Sequence, residues 1–399
     1  MEPNFEVVVV GAGPAGASVA LHLARLAPAL AHRTLLLERA TLPRPKPCAG
    51  GVTGKGVALL RRLGLSLGVP TLEIGRVEVA LGERRWAAEA EGLAVTVARA
   101  AFDHWLAREA EAAGAVLHEG EAVTGVVVGE EGVRVVTDRG SYTGRCVVAS
   151  DGGGSTVRKL LGWEPPAHRA RLLYMETDET PEAAGLCADT LYLDFTPMEA
   201  GLHGYLWDFP SPRAGGIGLH RGLYDRGDRG SRRGNLKPLF RDALATRGVD
   251  LDACRLGGFH ERELARGVVL ARPQLLLAGE AAGIDPLFGE GIAQALAHGG
   301  LVAREIARAA ARGDWSFRGV GRRFACSRLG LELTGGRRIA DALYHRHGVV
   351  RTTRLFDAPG IAHLVARHLA GHLHPAAVAV AVPPLLALGA LGWRGAASR

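Results

Sequence analysis

The sequence predicts an α/β fold: a doubly wound, Rossmann-like domain, an inserted α+β domain and a helical C-terminal region. Three observations carry this. Phe5–Val10 is a short, largely β-branched run that leads through glycines into an apolar helical stretch, Ala17–Leu26. A second apolar strand, Thr34–Leu37, ends at Glu38. A third, Leu275–Ala278, feeds another glycine-rich turn and a long helix.

The elements between follow in order. Pro43, Pro45 and Pro47 force an extended connection that ends in Cys48-Ala49-Gly50-Gly51. Residues Gly75–Ala90 alternate as short strands, Phe102–Ala113 has the pattern of an amphipathic helix, and Ala115–Val148 reads as strands separated by glycines. Cys146–Ser150 runs into Asp151-Gly152-Gly153-Gly154. From Arg169 to Glu263 strands are mixed with a helix near Asn235–Thr246, and beyond Ala311 the pattern is helical. A chain of 399 residues exceeds the size of one hydrophobic core. The division expected is 1–75, 97–165 and 269–312 as the cofactor domain, 76–96 and 166–268 as the substrate domain, and 313–399 as a helical region.

Hydrophobic residues at 47% and charged residues at 22% exclude a disordered chain and a multi-span membrane protein. The net charge of +7 favours an anionic partner or surface, but the arginines are scattered without aromatic interleaving, which argues against nucleic acid. The cysteines, Cys48, Cys146, Cys187, Cys254 and Cys326, are odd in number and form no CxxC pair, so a reducing cytoplasm is expected and no metal site. The N-terminus enters a strand with no export signal in view. Pro375–Trp393 carries no charge, yet Pro383 and Pro384 interrupt it, so a packed or interfacial segment is expected, with a peripheral contact at the inner face of the membrane.

Gly11-Ala12-Gly13-Pro14-Ala15-Gly16 satisfies GxGxxG between strand and helix. Gly11 makes the tight turn, Gly13 admits a pyrophosphate close to the backbone, and Gly16 lets helix and strand pack. Glu38, followed by Arg39, closes the next strand about 20 residues on, where a carboxylate accepts from an adenosine ribose. Glycines serving a turn alone are the competing reading. The motif does not separate NAD from FAD. Arg99, at the opening of a helix, suits a guanidinium bridging flavin and phosphates, or a surface salt bridge. Asp151-Gly152, with Ser155 and Arg158, forms a strand–turn–helix that can approach the cofactor.

The most specific segment is Gly279-Glu280-Ala281-Ala282-Gly283, then Asp285-Pro286, then Gly289-Glu290-Gly291-Ile292. With the first motif and the Asp151-Gly152 turn, it resembles the flavoprotein family of p-hydroxybenzoate hydroxylase and the geranylgeranyl reductases, up to about Arg312. The resemblance implies a GR2-type FAD-binding domain. It implies that the acid after Gly279 meets the ribityl chain and that the helix beginning at Gly289, Gly291 and Ile292 aims its N-terminus at the isoalloxazine. The family has Asp in that acidic position; here it is Glu280.

Two segments resemble the geranylgeranyl reductase branch. Lys46-Pro47-Cys48-Ala49-Gly50-Gly51 is similar to its cysteine–glycine loop beside the flavin, and Tyr205-Leu206-Trp207-Asp208-Phe209-Pro210 to its Tyr-x-Trp-x-Phe-Pro pocket segment. Alternation puts Tyr205, Trp207 and Phe209 on one face of a strand, as pocket or as sheet core. The resemblance implies hydride transfer from reduced flavin to an isoprenoid double bond, with Cys48 and Tyr205 the candidate proton donors and NADPH or ferredoxin the electron source. A monooxygenase acting on an apolar substrate, and a flavin-stabilised binding protein without turnover, remain alternatives, since one fold hosts several functions.

Overall fold

The computed structural model describes residues 4–163, 169–227, 234–284, 287–344, 348–358 and 360–373. Asp285, Pro286 and the Pro375–Trp393 segment lie outside them.

Val7–Val10 forms the centre of a six-stranded sheet because all four valines are buried on both faces, as a parallel strand requires. It pairs in parallel with Thr34–Glu38 on one side and Cys146–Ala149 on the other; Val116–Glu119 and Leu275–Leu277 continue the sheet outward in parallel. Ala271–Arg272 adds an antiparallel edge. The helix Pro14–Leu26 follows the first strand, with Pro14 at its first turn, where a missing N–H costs nothing.

That helix packs along Ile292–Arg312, and two adjacent glycines permit the approach. A Cβ at Gly299 would stand 2.5 Å from Ser18 Cβ, and one at Gly300 2.8 Å from His22 Nε2. Ser18 Oγ donates across the interface to the Leu296 carbonyl at 2.7 Å. The two helix N-termini are thereby held on the same side of the sheet, above the ends of the parallel strands.

The second sheet has eight strands, in the order Gly257–Arg262, Arg169–Thr177, Gly216–Asp225, Gly204–Arg213, Thr190–Asp194, Thr71–Leu81, Arg84–Val97 and Gly51–Thr53. Where short strands are expected near Gly75–Ala90, one long hairpin runs from Thr71 to Val97, turning at Gly82 with φ +59°. Its first strand crosses the boundary expected at 75. The short strand Gly51–Thr53, which directly follows the cysteine–glycine loop, pairs antiparallel with Ala94–Thr96 and so ties that loop to this sheet. The expected helix near Asn235–Thr246 is Leu236–Ala245, capped by the Asn235 side chain on the Lys237 N–H at 3.0 Å. A third, three-stranded sheet, Val123–Val128, Val133–Thr137 and Ser141–Gly144, accounts for the glycine-punctuated stretch before Cys146.

The C-terminal helices Arg328–Leu343, Gly348–Asp357 and Ile361–Leu369 close over the aromatic face of the large sheet. Phe356 packs against Trp86 and Phe195, with ring centroids 5.5 and 6.2 Å apart. Tyr344 donates its hydroxyl to the Leu287 carbonyl at 2.6 Å. Among the described residues no helix is long and apolar enough to cross a membrane.

Candidate functional site

The glycines of the first motif have three different surroundings. Gly11 has φ +101°, and a Cβ there would sit 2.7 Å from the Ser150 carbonyl oxygen; its N–H donates to the Leu37 carbonyl at 2.7 Å. A Cβ at Gly16 would strike the Gly11 carbonyl and lie 2.7 Å from Ser150 Oγ. At Gly13 the nearest atom to a Cβ is Arg44 Nη2 at 3.8 Å, so this face of the turn is an open cradle. Ala12 and Ala15 are buried beside it.

Glu38 is buried at the end of its strand and fixes the cradle. Its Oε2 accepts the Ala12 N–H at 3.1 Å, its Oε1 accepts the Ala40 N–H at 3.2 Å, and Arg44 Nε lies 3.3 Å from Oε1. Arg39 beside it is exposed. Arg44 also reaches Asp103 at 3.4 Å, and Arg99 makes a bidentate pair with the same carboxylate at 2.9 and 3.0 Å. The Arg99 pair is not at the surface: Asp103 is fully buried. Burial works against the Arg99 charge, but Asp103 outweighs it and holds the guanidinium above its ordinary range.

Cys48, Ala49 and Gly50 lie at the junction of the domains. Cys48 packs against the core of the first sheet and Ala49 against the core of the second. Gly50 takes φ +75° with its N–H 3.4 Å from Cys48 Sγ. Asp151 accepts the Val157 N–H at 3.1 Å through Oδ2, while its buried Oδ1 has no hydrogen-bond partner among the described residues. Glu280 turns toward this segment: its Oε1 accepts the Arg262 N–H at 3.3 Å, and a Cβ at Gly153 would stand 2.9 Å from the Glu280 carboxyl carbon. Gly279 sits against Ala15, 2.6 Å from a hypothetical Cβ, and donates its N–H to His298 Nδ1 at 3.1 Å.

Gly289 takes φ +62°, and Gly291 starts the helix Ile292–Arg312. Neither this helix nor Pro14–Leu26 has a side-chain cap or an acidic residue in its first turn, so no side chain of either helix satisfies its orphan N–H groups. These termini, the open face at Gly13 and the orphan Asp151 oxygen fit a dinucleotide with a pyrophosphate at one helix and an electron-rich ring at the other.

The three aromatic residues share one face of the strand Gly204–Arg213, but they divide in use. Tyr205 and Trp207 are buried in the core of the large sheet. Tyr205 donates to the Phe288 carbonyl and stacks on Tyr224 with centroids 5.3 Å apart, while Trp207 Nε1 donates to His220 Nδ1 at 3.1 Å. Phe209 alone reaches the loop, its ring 3.7 Å from a Cβ built at Gly51.

A pocket opens next to these elements, enclosing about 850 Å³ including its mouth. Phe195, Phe288, Ile339, Phe356 and Leu364 make it apolar, and Glu290, Glu332 and His368 make one part of it polar. Lys55 lies behind that part, 2.7 Å from Glu290 Oε2, 2.5 Å from Glu332 Oε1 and 3.5 Å from His368 Nε2. Thr53 Oγ1 donates to the other oxygen of Glu290. Burial opposes the Lys55 charge, yet the two carboxylates hold it above its usual range. Burial also disfavours the charged Glu290, but Lys55 and the Thr53 bond bring it below the usual carboxylate range. For Glu332, burial and then the Glu290 charge exceed the opposing pull of Lys55 and Arg328, and its carboxyl is raised. His368 is pushed down to about 4, by burial first and then by Lys55.

Lys55, Glu332 and His368 were not among the residues the motifs single out, and Glu290 entered only as a letter between two glycines. Lys55 follows the cysteine–glycine loop closely, which is a signal in hindsight of position alone. Glu332 and His368 stand on helices with no motif, and only the tertiary fold brings them in.

A family model described as an FAD binding domain matches residues 4–192. Digeranylgeranylglycerophospholipid reductase 2 of Methanothermobacter thermautotrophicus is 31% identical over 318 residues, covering 72% of this chain and 74% of that protein. A 12-dehydrotetracycline 5-monooxygenase/anhydrotetracycline 6-monooxygenase of Streptomyces rimosus is 36% identical over 199 residues, covering 46% of this chain. The chain spans 39% of that monooxygenase's length and 36% of the length of a rifampicin monooxygenase of Streptomyces venezuelae. The crystal structure of a geranylgeranyl bacteriochlorophyll reductase-like protein from Thermoplasma acidophilum superposes with a TM-score of 0.72 at 19% identity, over 93% of this chain and 96% of that one. With the glycine cradle and both uncapped helices in place, the chain belongs to the FAD-dependent oxidoreductase family that includes the geranylgeranyl reductases.

Proposed function

We propose that the protein is an FAD-dependent reductase that saturates isoprenoid double bonds of a prenyl diphosphate, prenyl lipid or prenylated quinone or pigment. The observation that carries the reading is the pocket: an apolar space whose polar part is Glu290, at the Gly289–Ile292 helix start, with Glu332 and His368, backed by Lys55 from the helix that follows the cysteine–glycine loop. Burying a prenyl chain there is worth about 0.8 kcal/mol per CH2 group removed from water. The likeness to the digeranylgeranylglycerophospholipid reductase supports it, because that match runs through 72% of the chain, whereas the match to the tetracycline monooxygenase is confined to 46%.

Reduced FAD, when bound, supplies a hydride equivalent. The chain's own contribution is to hold the alkene in a dry pocket, to keep the cofactor oriented through Glu38, Asp151 and the two helix starts, and to provide a proton. NADPH or ferredoxin is the proposed donor. We place the enzyme in the cytoplasm, with a peripheral contact at the membrane face as its route to a lipid substrate, a reading supported by the +7 charge.

The second reading is a monooxygenase, favoured by the 36% identity over 199 residues to the tetracycline enzyme. Incubating the reduced protein with geranylgeranyl diphosphate or a prenyl lipid, with and without oxygen, separates the two by product mass. Added pairs of hydrogen without oxygen support the reductase. A product heavier by one oxygen, formed only in air, overturns it.

A further inference from the structure

The polar part of the pocket holds more ionisable groups than a binding site for a hydrocarbon requires. One ammonium, Lys55, stands between two carboxylates, Glu290 and Glu332, with side chains only 10%, 9% and 12% exposed. The two carboxylates are bound unequally. Both oxygens of Glu290 accept hydrogen bonds, from Thr53 and Lys55. Glu332 receives Lys55 on Oε1 alone, and among the described residues its Oε2 has no hydrogen-bond partner. A single cation in a desolvated site neutralises one carboxylate, and the second is then most stable as an acid.

The helix that carries Glu332 presents it to the substrate space. Gly335, Gly336, Ile339 and Leu343 line the same pocket, at the spacing that puts them on one helix face with Glu332. The two glycines, one turn along, have no side chains to fill the space next to the carboxyl, which leaves a path for an apolar chain past it.

We propose that Glu332 is the acid that donates a proton to the substrate alkene, with Lys55, Glu290 and His368 as its positioning residues; this rests on the reading of the reaction as flavin-dependent saturation. The π bond breaks, one alkene carbon bonds to the proton leaving the Glu332 carboxyl, and the other takes the hydride equivalent of reduced flavin. The flavin is oxidised by two electrons, the alkene is reduced, and Glu332 is left as a carboxylate beside Lys55. The charged and titratable groups facing Glu332 are Lys55, Glu290 and His368 from neighbouring elements and Arg328 on its own helix. Burial and the facing Glu290 raise its carboxyl, in the direction an acid working near neutral pH needs. Neither Cys48 nor Tyr205 lines this pocket, and the Tyr205 hydroxyl is already committed to the Phe288 carbonyl.

The test compares the FAD-loaded wild type with Glu332→Gln and Glu332→Asp. In substrate-free protein, the infrared carbonyl band of a protonated carboxylic acid is expected in the wild type, absent in Glu332→Gln and shifted in Glu332→Asp. With a prenyl lipid, Glu332→Gln is expected to saturate at least about 100-fold more slowly, with flavin content and dithionite reduction of the flavin unchanged. The wild-type rate falls as pH rises through the Glu332 titration, and the residual rate of Glu332→Gln does not. A band unmoved by either substitution, or a Glu332→Gln enzyme with wild-type saturation, overturns the proposal; should Glu332→Gln not fold, the band in Glu332→Asp decides. A wild-type protein that shows the band but forms no saturated product overturns the reductase reading instead.

Discussion

Gly279 donates its backbone N–H to Nδ1 of His298, 3.1 Å away, so a histidine on the long helix fixes the glycine turn that borders the first cofactor helix. An Nδ1 that accepts carries no proton, and burial lowers His298 to about 4. Its folded pKa lies below the unfolded value near 6.5, so its contribution is complete above that value and is lost as pH falls through about 4. By the conversion of pKa units to free energy this is about 3 kcal/mol. His220, lowered to about 3, and His368, lowered to about 4, act in the same sense. Thermal melts between pH 7 and 4 are expected to show stability declining together with retained FAD. In His298→Leu the orphaned Gly279 N–H costs about 1–3 kcal/mol.

The three glycines of the first motif are expected to fail differently. Gly16→Ala drives a methyl into the Gly11 carbonyl and destabilises the fold with or without cofactor. Gly13→Ala meets nothing nearer than Arg44 at 3.8 Å, so the cofactor-free protein melts near the wild type while FAD binding is lost. Flavin absorbance after purification and the melting temperature of the stripped protein check both. Equal destabilisation by the two substitutions contradicts the assignment of Gly13 as the cradle.

Asp103 is shared by Arg99 and Arg44, and the pairing is asymmetric. Asp103→Asn leaves the buried Arg99 uncompensated and is expected to cost about 3–5 kcal/mol. Arg99→Met leaves Asp103 with Arg44 at 3.4 Å and costs less. Denaturant melts of the two variants give the order directly, with Asp103→Asn the less stable.

Much of this arrangement is legible in the sequence because it is local. The GxGxxG turn, Glu38 at the end of the next strand, Asn235 as a helix cap and the alternation of Tyr205, Trp207 and Phe209 each depend on residues close in the chain. The use of the aromatic face is not local. Tyr205 and Trp207 are core because Tyr224, Phe195 and the C-terminal helices close over them, and those partners come from distant segments. The Lys55–Glu290–Glu332 cluster is illegible for the same reason: each residue alone reads as a surface charge, and only the packing of two helices and a loop buries them together.

The pocket makes a prediction about chain length. Ile339→Trp fills apolar space beside Phe195 and Phe356 and is expected to cost about 1–3 kcal/mol in stability. Its effect on binding grows with the prenyl chain, weak for a dimethylallyl group and strong for a geranylgeranyl group. Titration of both ligands, followed by the flavin spectrum, reads the difference. Equal loss for short and long chains shows that the pocket does not hold the chain.

The central claim is tested most directly by a single anaerobic turnover. The FAD in the purified protein is reduced with one equivalent of dithionite and mixed with a geranylgeranyl lipid, and the flavin absorbance is followed while the product is weighed by mass spectrometry. Reoxidation of the flavin in step with the gain of two hydrogens per flavin is the predicted result. A flavin that stays reduced until oxygen is admitted, with oxygen then found in the product, contradicts the account.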